Sequence, residues 1–182
     1  MRLVILGGPG AGKGTQAQNL CRHFEIPLIS TGEMLRRAIA AQTPLGQQVQ
    51  AFVEKGELVP DETMIQLMRQ RLLQADTSRG WLLEGHPRTA FQAEELDFLL
   101  EDLNQQLNWA IWLDAPDEVL MSRSIARQRS DDTPAVIQHR IESFREYTLP
   151  MLDYYEYRDR LLKINSNQSI EQVHQEILQR LQ

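Results

Sequence analysis

A glycine-rich segment near the amino terminus constrains the fold of this chain more than any other feature. Residues 7–15 read GGPGAGKGT and stand between an apolar run of strand length, 3–6, and a segment of helical character. The pattern G-x-x-x-x-G-K in this setting is typical of loops whose backbone N–H groups, helix dipole and lysine (here Lys13) bind phosphate. A serine or threonine usually follows the lysine directly, whereas here Gly14 comes first and Thr15 second. The segment predicts a phosphate-binding loop at the start of an α/β fold.

The rest of the chain alternates strand-length apolar runs with segments whose apolar residues recur at helical spacing. The candidate strands are 3–6, 27–30, 81–83, 109–113 and 161–164. Continuous apolar runs are typical of parallel strands that are buried on both faces. We therefore predict a three-layer α/β fold with a five-stranded parallel sheet, in one domain that spans residues 1–182.

Two segments do not fit this alternation. Residues 31–59 predict a helical hairpin without a strand, and residues 127–133 form a polar turn between two helical patterns. We interpret both as insertions at the carboxyl edge of the sheet, where α/β proteins bind ligands. The predicted core is 1–29, 60–124 and 134–182, with one insertion at 30–59 and a very short one at 125–133.

The charge of the chain limits its ligands. It has 19 Lys+Arg and 25 Asp+Glu, a formal net charge of −6, which argues against binding to nucleic acid or to an anionic membrane. Four arginines nevertheless lie close together in the sequence and favour a small polyanion: Arg123, Arg127, Arg129 and Arg140. One cysteine, Cys21, excludes a disulfide and a multi-cysteine zinc site. The longest apolar run, 109–113, is far shorter than the roughly 20 residues of a membrane span, so we expect a soluble, intracellular protein.

Several motifs in a fixed order identify a family resemblance. Besides the loop with glycine after Lys13, they are 29–36, 56–61, 85–89 with Gln92, 113–120, 129–132 with Arg140, and 149–155. In this order they resemble the motifs of adenylate kinases of the short-lid type, a branch of the nucleoside monophosphate kinases. The resemblance implies reversible, Mg²⁺-dependent phosphoryl transfer from ATP to AMP, which gives two ADP and balances the adenine nucleotides.

The resemblance implies that AMP binds between the insertion 30–59 and the sheet, with Thr31 and Gln92 on adenine and Arg36 and Arg88 on the phosphate. The residues implied on this side are Thr31, Arg36, Glu57, Leu58, Val59, Gly85, His86, Pro87, Arg88, Gln92, Arg129 and Arg140. Ser30 with Glu33, and Thr89 with Gln92, also have the spacing of capping boxes, which leaves a structural alternative open for these polar residues.

The resemblance implies that ATP binds to the glycine-rich loop and to the arginine cluster. The implied contacts are Gly10, Ala11, Gly12, Lys13, Gly14, Thr15, Arg123, Arg127 and Gln168. The implied catalytic residues are Lys13, Arg88, Arg127, Arg129 and Arg140, and Asp131 and Asp132 orient the lid arginines. Mg²⁺ is implied at Thr15 and Glu84, through water. No zinc is expected, since the long lids that carry zinc need several cysteines.

Three residues depart from the family pattern. Glu84 replaces an aspartate, His86 a phenylalanine and Ser166 a glycine. His86 is expected to put a titratable ring beside the AMP pocket. The lid is also unusually short, with one residue between Arg127 and Arg129. None of these differences removes a charged group that phosphoryl transfer needs.

Two other functions stay open. A UMP/CMP kinase has the same scaffold, but such enzymes tend to have alanine at the position of Thr31 and asparagine at that of Gln92. A nucleotide-binding regulator with weak catalysis is motivated by Glu84, His86 and the short lid. A switch GTPase is excluded, because the chain lacks N-K-x-D and a D-x-x-G after the loop. The expected partners are ATP, AMP and ADP, without nucleic acid or membrane, for a cytoplasmic monomer.

Overall fold

The computed structural model describes residues 1–129 and 132–181. Within that part of the chain, five strands alternate with nine α-helices. The strands are β1 Arg2–Leu6, β2 Leu28–Ser30, β3 Trp81–Glu84, β4 Trp109–Asp114 and β5 Leu161–Asn165. The helices are α1 Lys13–Phe24, α2 Thr31–Ala40, α3 Pro44–Lys55, α4 Asp61–Leu72, α5 Ala90–Asp102, α6 Asp117–Ala126, α7 Pro134–Ser143, α8 Leu149–Glu156 and α9 Ile170–Arg180. The described residues also form a 3₁₀ turn at Ala75–Thr77 and a π-helical segment at Phe144–Thr148.

The five strands form one parallel sheet in the order β2-β3-β1-β4-β5. β1 lies at its centre, with Val4 opposite Leu83 of β3 and Ala110 of β4. The predicted strands and their parallel arrangement are confirmed, and each strand end lies within one residue of its predicted position. The prediction of burial on both faces is wrong for β5: this strand lies at an edge of the sheet, and Lys163 and Asn165 are exposed.

Helices cover both faces of the sheet and produce the predicted three layers. One apolar cluster joins the sheet to α1, α7 and α9, through residues such as Leu20, Ile141 and Ile177. The cluster on the opposite face includes Met68 of α4 and Leu152 of α8. None of the described helices combines the length and the apolar character that crossing a membrane requires.

Residues 31–59 form the predicted helical hairpin, which consists of α2 and α3. Thr43 caps α3 by accepting a hydrogen bond from the backbone N–H of Gly46 at 3.1 Å. A Cβ on Gly46 would lie 2.1 Å from the carbonyl oxygen of Ala38, so the close contact between the two helices requires glycine. The hairpin has a small apolar core of its own with the start of α4, made by Leu35, Val49, Val59 and Met64.

The capping patterns are realised at one of the two expected positions. Thr89 accepts a hydrogen bond from the backbone N–H of Gln92 at 3.1 Å and caps α5. The expected cap at Ser30 is wrong, because this side chain makes no capping hydrogen bond to α2. Its hydroxyl instead donates to Oε2 of Glu84 at 2.7 Å, across the sheet edge.

Candidate active site

The glycine-rich loop connects β1 to α1 at the carboxyl edge of the sheet. Gly10 and Gly12 have φ angles of 78° and 91°, which glycine adopts without steric cost. A Cβ on Gly10 would lie 2.3 Å from the carbonyl oxygen of Leu120, so the loop packs directly against α6. α1 begins without a side-chain cap, which leaves its first N–H groups for a ligand. Ala11 is buried in the loop, and Gly14 and the exposed Thr15 lie in the first turn of α1.

The ammonium group of Lys13 lies against this loop. Its Nζ donates hydrogen bonds to the carbonyl oxygens of Gly7 and Gly8, both at 2.8 Å. Burial lowers the pKa of Lys13 to about 8; Glu84 opposes this shift, and nearby arginines add to it. Lys13 is therefore a cation next to the loop that holds its proton less tightly than an exposed lysine.

One cleft brings together the predicted cationic residues other than Arg123. The side chains in its lining that carry positive charge are Lys13, Arg36, Arg88, Arg127, Arg129 and Arg140. Among the described residues that line it, only Glu57 and Glu84 carry negative charge. Six cations that face two carboxylates create a site for a polyanion.

The cations of the cleft repel one another. The pKa of Arg88 is lowered by desolvation within the cleft and by Arg140 and Arg36, although its side chain still reaches the solvent there. Desolvation and Arg127 likewise lower the pKa of Arg129. Arginine stays charged at neutral pH, so this repulsion is relieved by bound anions and not by loss of protons.

Asp132 holds two of these arginines in place. Its carboxylate is fully buried and accepts hydrogen bonds from Nε and Nη2 of Arg127 and, at 2.8 Å, from Nη1 of Arg140. Nη2 of Arg140 also donates to the carbonyl oxygen of Val53 on α3 at 3.2 Å. Asp132 thus links α6, α7 and the hairpin at the cleft. The second acid predicted to orient the lid, Asp131, lies outside the described residues.

Glu84 is the last residue of β3, and its side chain lines the cleft. One carboxylate oxygen accepts the hydrogen bond from Ser30, and the Oγ1 of Thr31 donates to the carbonyl oxygen of Glu84 at 3.2 Å. These two bonds fix the ends of β2 and β3 relative to each other. The carboxylate is therefore held on the same side of the sheet as Lys13, whose pKa responds to it.

The part of the cleft next to the hairpin is apolar. Its lining there is made by Leu35, Val53, Leu58, Val59 and Met64, and Glu57, Gly85, Pro87 and the buried Thr31 complete the pocket. An apolar pocket with a few polar groups at its edge suits a planar ring that carries polar atoms. The predicted AMP-side residues, with the exception of His86, therefore lie around one cavity.

Gln92 is the amide of this pocket and is only 2% exposed. Its Nε2 donates to Oδ1 of Asp61 at 2.6 Å, and its Oε1 accepts from the backbone N–H of Arg88 at 2.8 Å. The helix cap uses the backbone N–H of Gln92, which donates to Thr89, whereas the pocket is lined by its side chain. The structural and the ligand-binding interpretations of this residue are therefore compatible.

His86 lies behind the cleft and is not among its described lining residues. The side chain is 1% exposed. Burial and, to a smaller extent, Arg88 lower its pKa to about 3, while a hydrogen bond with Gln92 opposes the shift. The expectation of a titrating ring beside the pocket is therefore wrong, because burial keeps this imidazole neutral at physiological pH.

Arg123 and Gln168, both predicted on the ATP side, lie close to each other but outside the cleft lining. Arg123 donates to the carbonyl oxygen of Ser166 at 2.9 Å and to that of Gln168 at 3.5 Å. The Ser166 hydroxyl donates to the carbonyl oxygen of Asp114 at 3.0 Å. This contact joins the loop after β5 to the end of β4.

The cleft contains further residues that the sequence analysis did not assign to the site. They are Ser30, Gly32, Leu35, Val53, Met64, Ser143, Phe144 and Thr148, besides parts of β1 and of the loop. Thr148 has the clearest effect, since its Oγ1 donates to the carbonyl oxygen of Arg88 at 2.9 Å. It ends the π-helical segment, for which the sequence carries no recognisable signal. Leu35 and Met64 are visible in the sequence only as apolar positions of helices.

This arrangement is suited to binding and aligning phosphate groups. Among the described residues that line the cleft, none is a histidine or a cysteine that could serve as a base or nucleophile. A phosphate oxygen is already ionised at neutral pH and needs no base to attack another phosphate. The principal requirement is to neutralise charge and to align the two groups, which fixed cations achieve.

Comparison with known proteins identifies the family of this chain. The family model described as adenylate kinase matches residues 5–160. Adenylate kinase 2 of Nostoc sp. is 58% identical over 181 residues, which cover 100% of this chain and 98% of that protein. Adenylate kinase 2 of Synechocystis sp. is 52% identical over 181 residues, which cover 100% of both chains. Similarity of this extent, together with the loop and its cationic cleft, shows that the chain belongs to the adenylate kinase family.

Proposed function

We propose that this protein transfers a phosphoryl group from ATP to AMP, reversibly, and gives two molecules of ADP. The observation that carries the proposal is the convergence of Lys13 and five arginines on one cleft, which extends from the glycine-rich loop to an apolar pocket. The names of the similar proteins support the same reaction. A pocket that accepts a base at one end and phosphates along its length suits two nucleotides bound with their phosphates facing each other.

In this proposal the triphosphate binds to the N–H groups of the loop and to Lys13, and AMP binds with its phosphate near Arg36 and Arg88. The attacking oxygen belongs to the ionised AMP phosphate. Arg127, Arg129 and Arg140 neutralise the charge that is shared by the two phosphates during transfer. An arginine in such a role contributes about 10³–10⁵-fold to the rate.

We also propose that the segment 125–133 and the hairpin 30–59 exclude water from the transferring group, as lid and monophosphate-binding insertion. Two observations support this for α7, which begins directly after the segment 125–133. Arg140 on α7 donates to Val53 on α3, and a Cβ on Gly56 would lie 3.1 Å from Val136 of α7. The hairpin and α7 therefore meet over the cleft. Closed contact between such segments protects a phosphoryl donor from hydrolysis.

Mg²⁺ fits the residues at the loop. Mg²⁺ prefers oxygen ligands, keeps several waters, and uses one or two protein groups besides the phosphates of a nucleotide. The described residues contain no group of three or more His, Cys, Asp or Glu that could hold a metal without such help. Glu84, through water, and the exposed hydroxyl of Thr15 would hold the ion. When bound, it neutralises part of the triphosphate charge.

The proposal is tested by measuring the products of ATP with AMP, dAMP, UMP and CMP, each with and without Mg²⁺. We expect ADP from ATP and AMP, and a large loss of rate when Mg²⁺ is chelated. Faster turnover of UMP or CMP would establish the pyrimidine kinase instead. Tight binding of a bisubstrate analogue, in which two adenosines are joined through phosphates, without any ADP formation would establish a regulator.

Replacement of Gln92 by alanine is expected to raise the KM for AMP about 10- to 100-fold, with little change in kcat or in the KM for ATP. The substitution removes a buried amide from the base pocket and leaves the cations in place. Steady-state kinetics with each substrate varied in turn measures the effect. Gln66→Ala, at an exposed position of α4, is the control and is expected to behave as the wild type. An unchanged KM for AMP would contradict the assignment of Gln92 to the base.

Binding of ATP is expected to take up a proton near pH 8. In the nucleotide-free protein the pKa of Lys13 is about 8, so about half of the molecules lack this charge at that pH. Bound phosphates favour the charged form and raise the pKa, which draws a proton from the buffer. Calorimetric titrations at pH 8 in buffers of different ionisation enthalpy measure the uptake. Lys13→Arg, which is always charged, should not show it; equal uptake in both proteins would exclude Lys13 as the source.

A further inference from the structure

Besides its contact with the ring of His86, the amide of Gln92 has two neighbours of fixed polarity. The backbone N–H of Arg88 can only donate, and it faces Oε1 at 2.8 Å. The carboxylate of Asp61, when ionised, can only accept, and it faces Nε2 at 2.6 Å. A turn of the amide by 180° would place a donor against a donor and an oxygen against a carboxylate. Only one orientation of Gln92 is therefore compatible with both contacts.

This orientation determines what Gln92 offers to a ligand. Nε2 carries two hydrogens, of which one is used by Asp61. Within 1–129 and 132–181, no oxygen accepts the second hydrogen. The contact with His86 favours the charged imidazole, so the ring nitrogen is the donor there and not an acceptor for Nε2. Gln92 lines the cleft. The pocket therefore presents an N–H donor, which requires a lone pair on the ligand.

We infer that Asp61 is a positioning residue that makes the pocket select a base with an unprotonated ring nitrogen. N1 of adenine provides the lone pair, whereas N1 of hypoxanthine or guanine and N3 of uracil carry a hydrogen. The inference deepens the proposed function and rests on AMP binding in this pocket. Base selection then originates from the carboxylate of Asp61, which does not need to contact the base.

The place of Asp61 in the fold supports this role. It is the first residue of α4, where the chain leaves the hairpin, and it is half-buried. Its neighbour Glu62 is exposed and shares the favourable position of an acid at a helix N-terminus. The contact with Gln92 therefore distinguishes the two acids: both stabilise the helix start, but only Asp61 binds a residue that lines the base pocket.

Three variants test the inference: Asp61→Leu, Asp61→Asn and Glu62→Gln. The readout is the ratio of kcat/KM for AMP to kcat/KM for IMP, with ATP saturating. Asp61→Leu keeps the size and removes the acceptor, and we expect the ratio to fall about tenfold, the effect of one hydrogen bond. Asp61→Asn keeps an acceptor oxygen, since Arg88 still fixes Oε1, and should retain most of the selectivity. Glu62→Gln removes a charge from the same helix end and should leave the ratio unchanged.

The outcomes distinguish this inference from the proposed function. If the wild type makes no ADP from ATP and AMP, the proposed function is wrong. If the wild type turns over AMP and Asp61→Leu keeps the wild-type ratio, only the inference is wrong. A similar loss in Glu62→Gln would also overturn it, because helix stability would then explain the change.

A second measurement uses the wild type and does not depend on the folding of a variant. The two side-chain Nε2 hydrogens of Gln92 are assigned in ¹⁵N spectra by their absence in Gln92→Ala. Hindered rotation about the amide C–N bond separates the two resonances in any glutamine, and we expect one of them to be displaced by the carboxylate of Asp61. AMP should shift mainly the other, and IMP at equal concentration should shift it far less. Two resonances at the positions of an exposed glutamine, or equal responses to AMP and IMP, would overturn the inference.

Discussion

Replacement of Lys13 by methionine is expected to lower kcat for ADP formation about 10²–10³-fold, the usual cost of losing one group that stabilises a developing charge. The ammonium group lies on the glycine-rich loop and has no second lysine near it to replace it, since the other cations of the described cleft are arginines. Methionine keeps the length of the aliphatic side chain. A coupled assay of ADP formation measures the loss.

The folded state should tolerate this change. Because burial lowers the pKa of Lys13, the folded protein binds this proton less tightly than the unfolded chain does. The charge therefore costs stability below about pH 8, and that cost diminishes as the pH rises from there towards 10.5. We expect the thermal unfolding midpoint of Lys13→Met at pH 7 to be no lower than that of the wild type. Lys55→Met, at an exposed position of α3, is the control; full activity in Lys13→Met would refute the proposed role of the loop.

Replacement of Asp132 by alanine is expected to lower kcat about 10²-fold, because Arg127 and Arg140 lose the carboxylate that aligns them. The variant should also unfold at a lower temperature, since two neighbouring cations keep their charge after their shared buried partner is removed. Initial rates at saturating ATP and AMP, together with thermal unfolding, measure both effects.

Asp97 provides the matched control for Asp132. It also binds two partners, Arg160 and Tyr154, and it does not line the cleft. Asp97→Ala should therefore lose stability but keep its kcat. If both variants lost activity in proportion to their stability, the alignment of Arg127 and Arg140 would not be the cause.

The fold was predictable because its signals are local. Each strand is a continuous apolar run between polar segments, and such runs predict buried parallel strands without knowledge of their neighbours. The motif around Lys13 includes its own strand and helix. The convergence of distant arginines was predictable only through the family resemblance, since Arg36 and Arg140 are far apart in sequence and meet only in the folded cleft.

The features that sequence reasoning did not predict depend on partners that are distant in sequence. Ser30 has the spacing of a cap, but a carboxylate 54 residues away accepts the hydrogen bond from its hydroxyl. His86 was expected in the pocket, and the packing behind the cleft buries it. The contact of Gln92 with Asp61 spans 31 residues and has no local pattern. Contacts of this kind determine whether a side chain donates or accepts a hydrogen bond and how far its pKa shifts. The spacing of residues along the sequence does not encode such contacts.

The glycine at position 46 has a consequence for how the base pocket opens. With a carbonyl oxygen of the facing helix where its Cβ would be, α2 and α3 have no free space in which to slide past each other. We expect α2 and α3 to rotate together as a rigid body, with hinges at the two ends of the hairpin, near residues 30 and 60. Asp61 and Gln92 then stay on the stationary side of the hinges. The Nε2 donor of Gln92 is therefore oriented for the base before the hairpin closes over it.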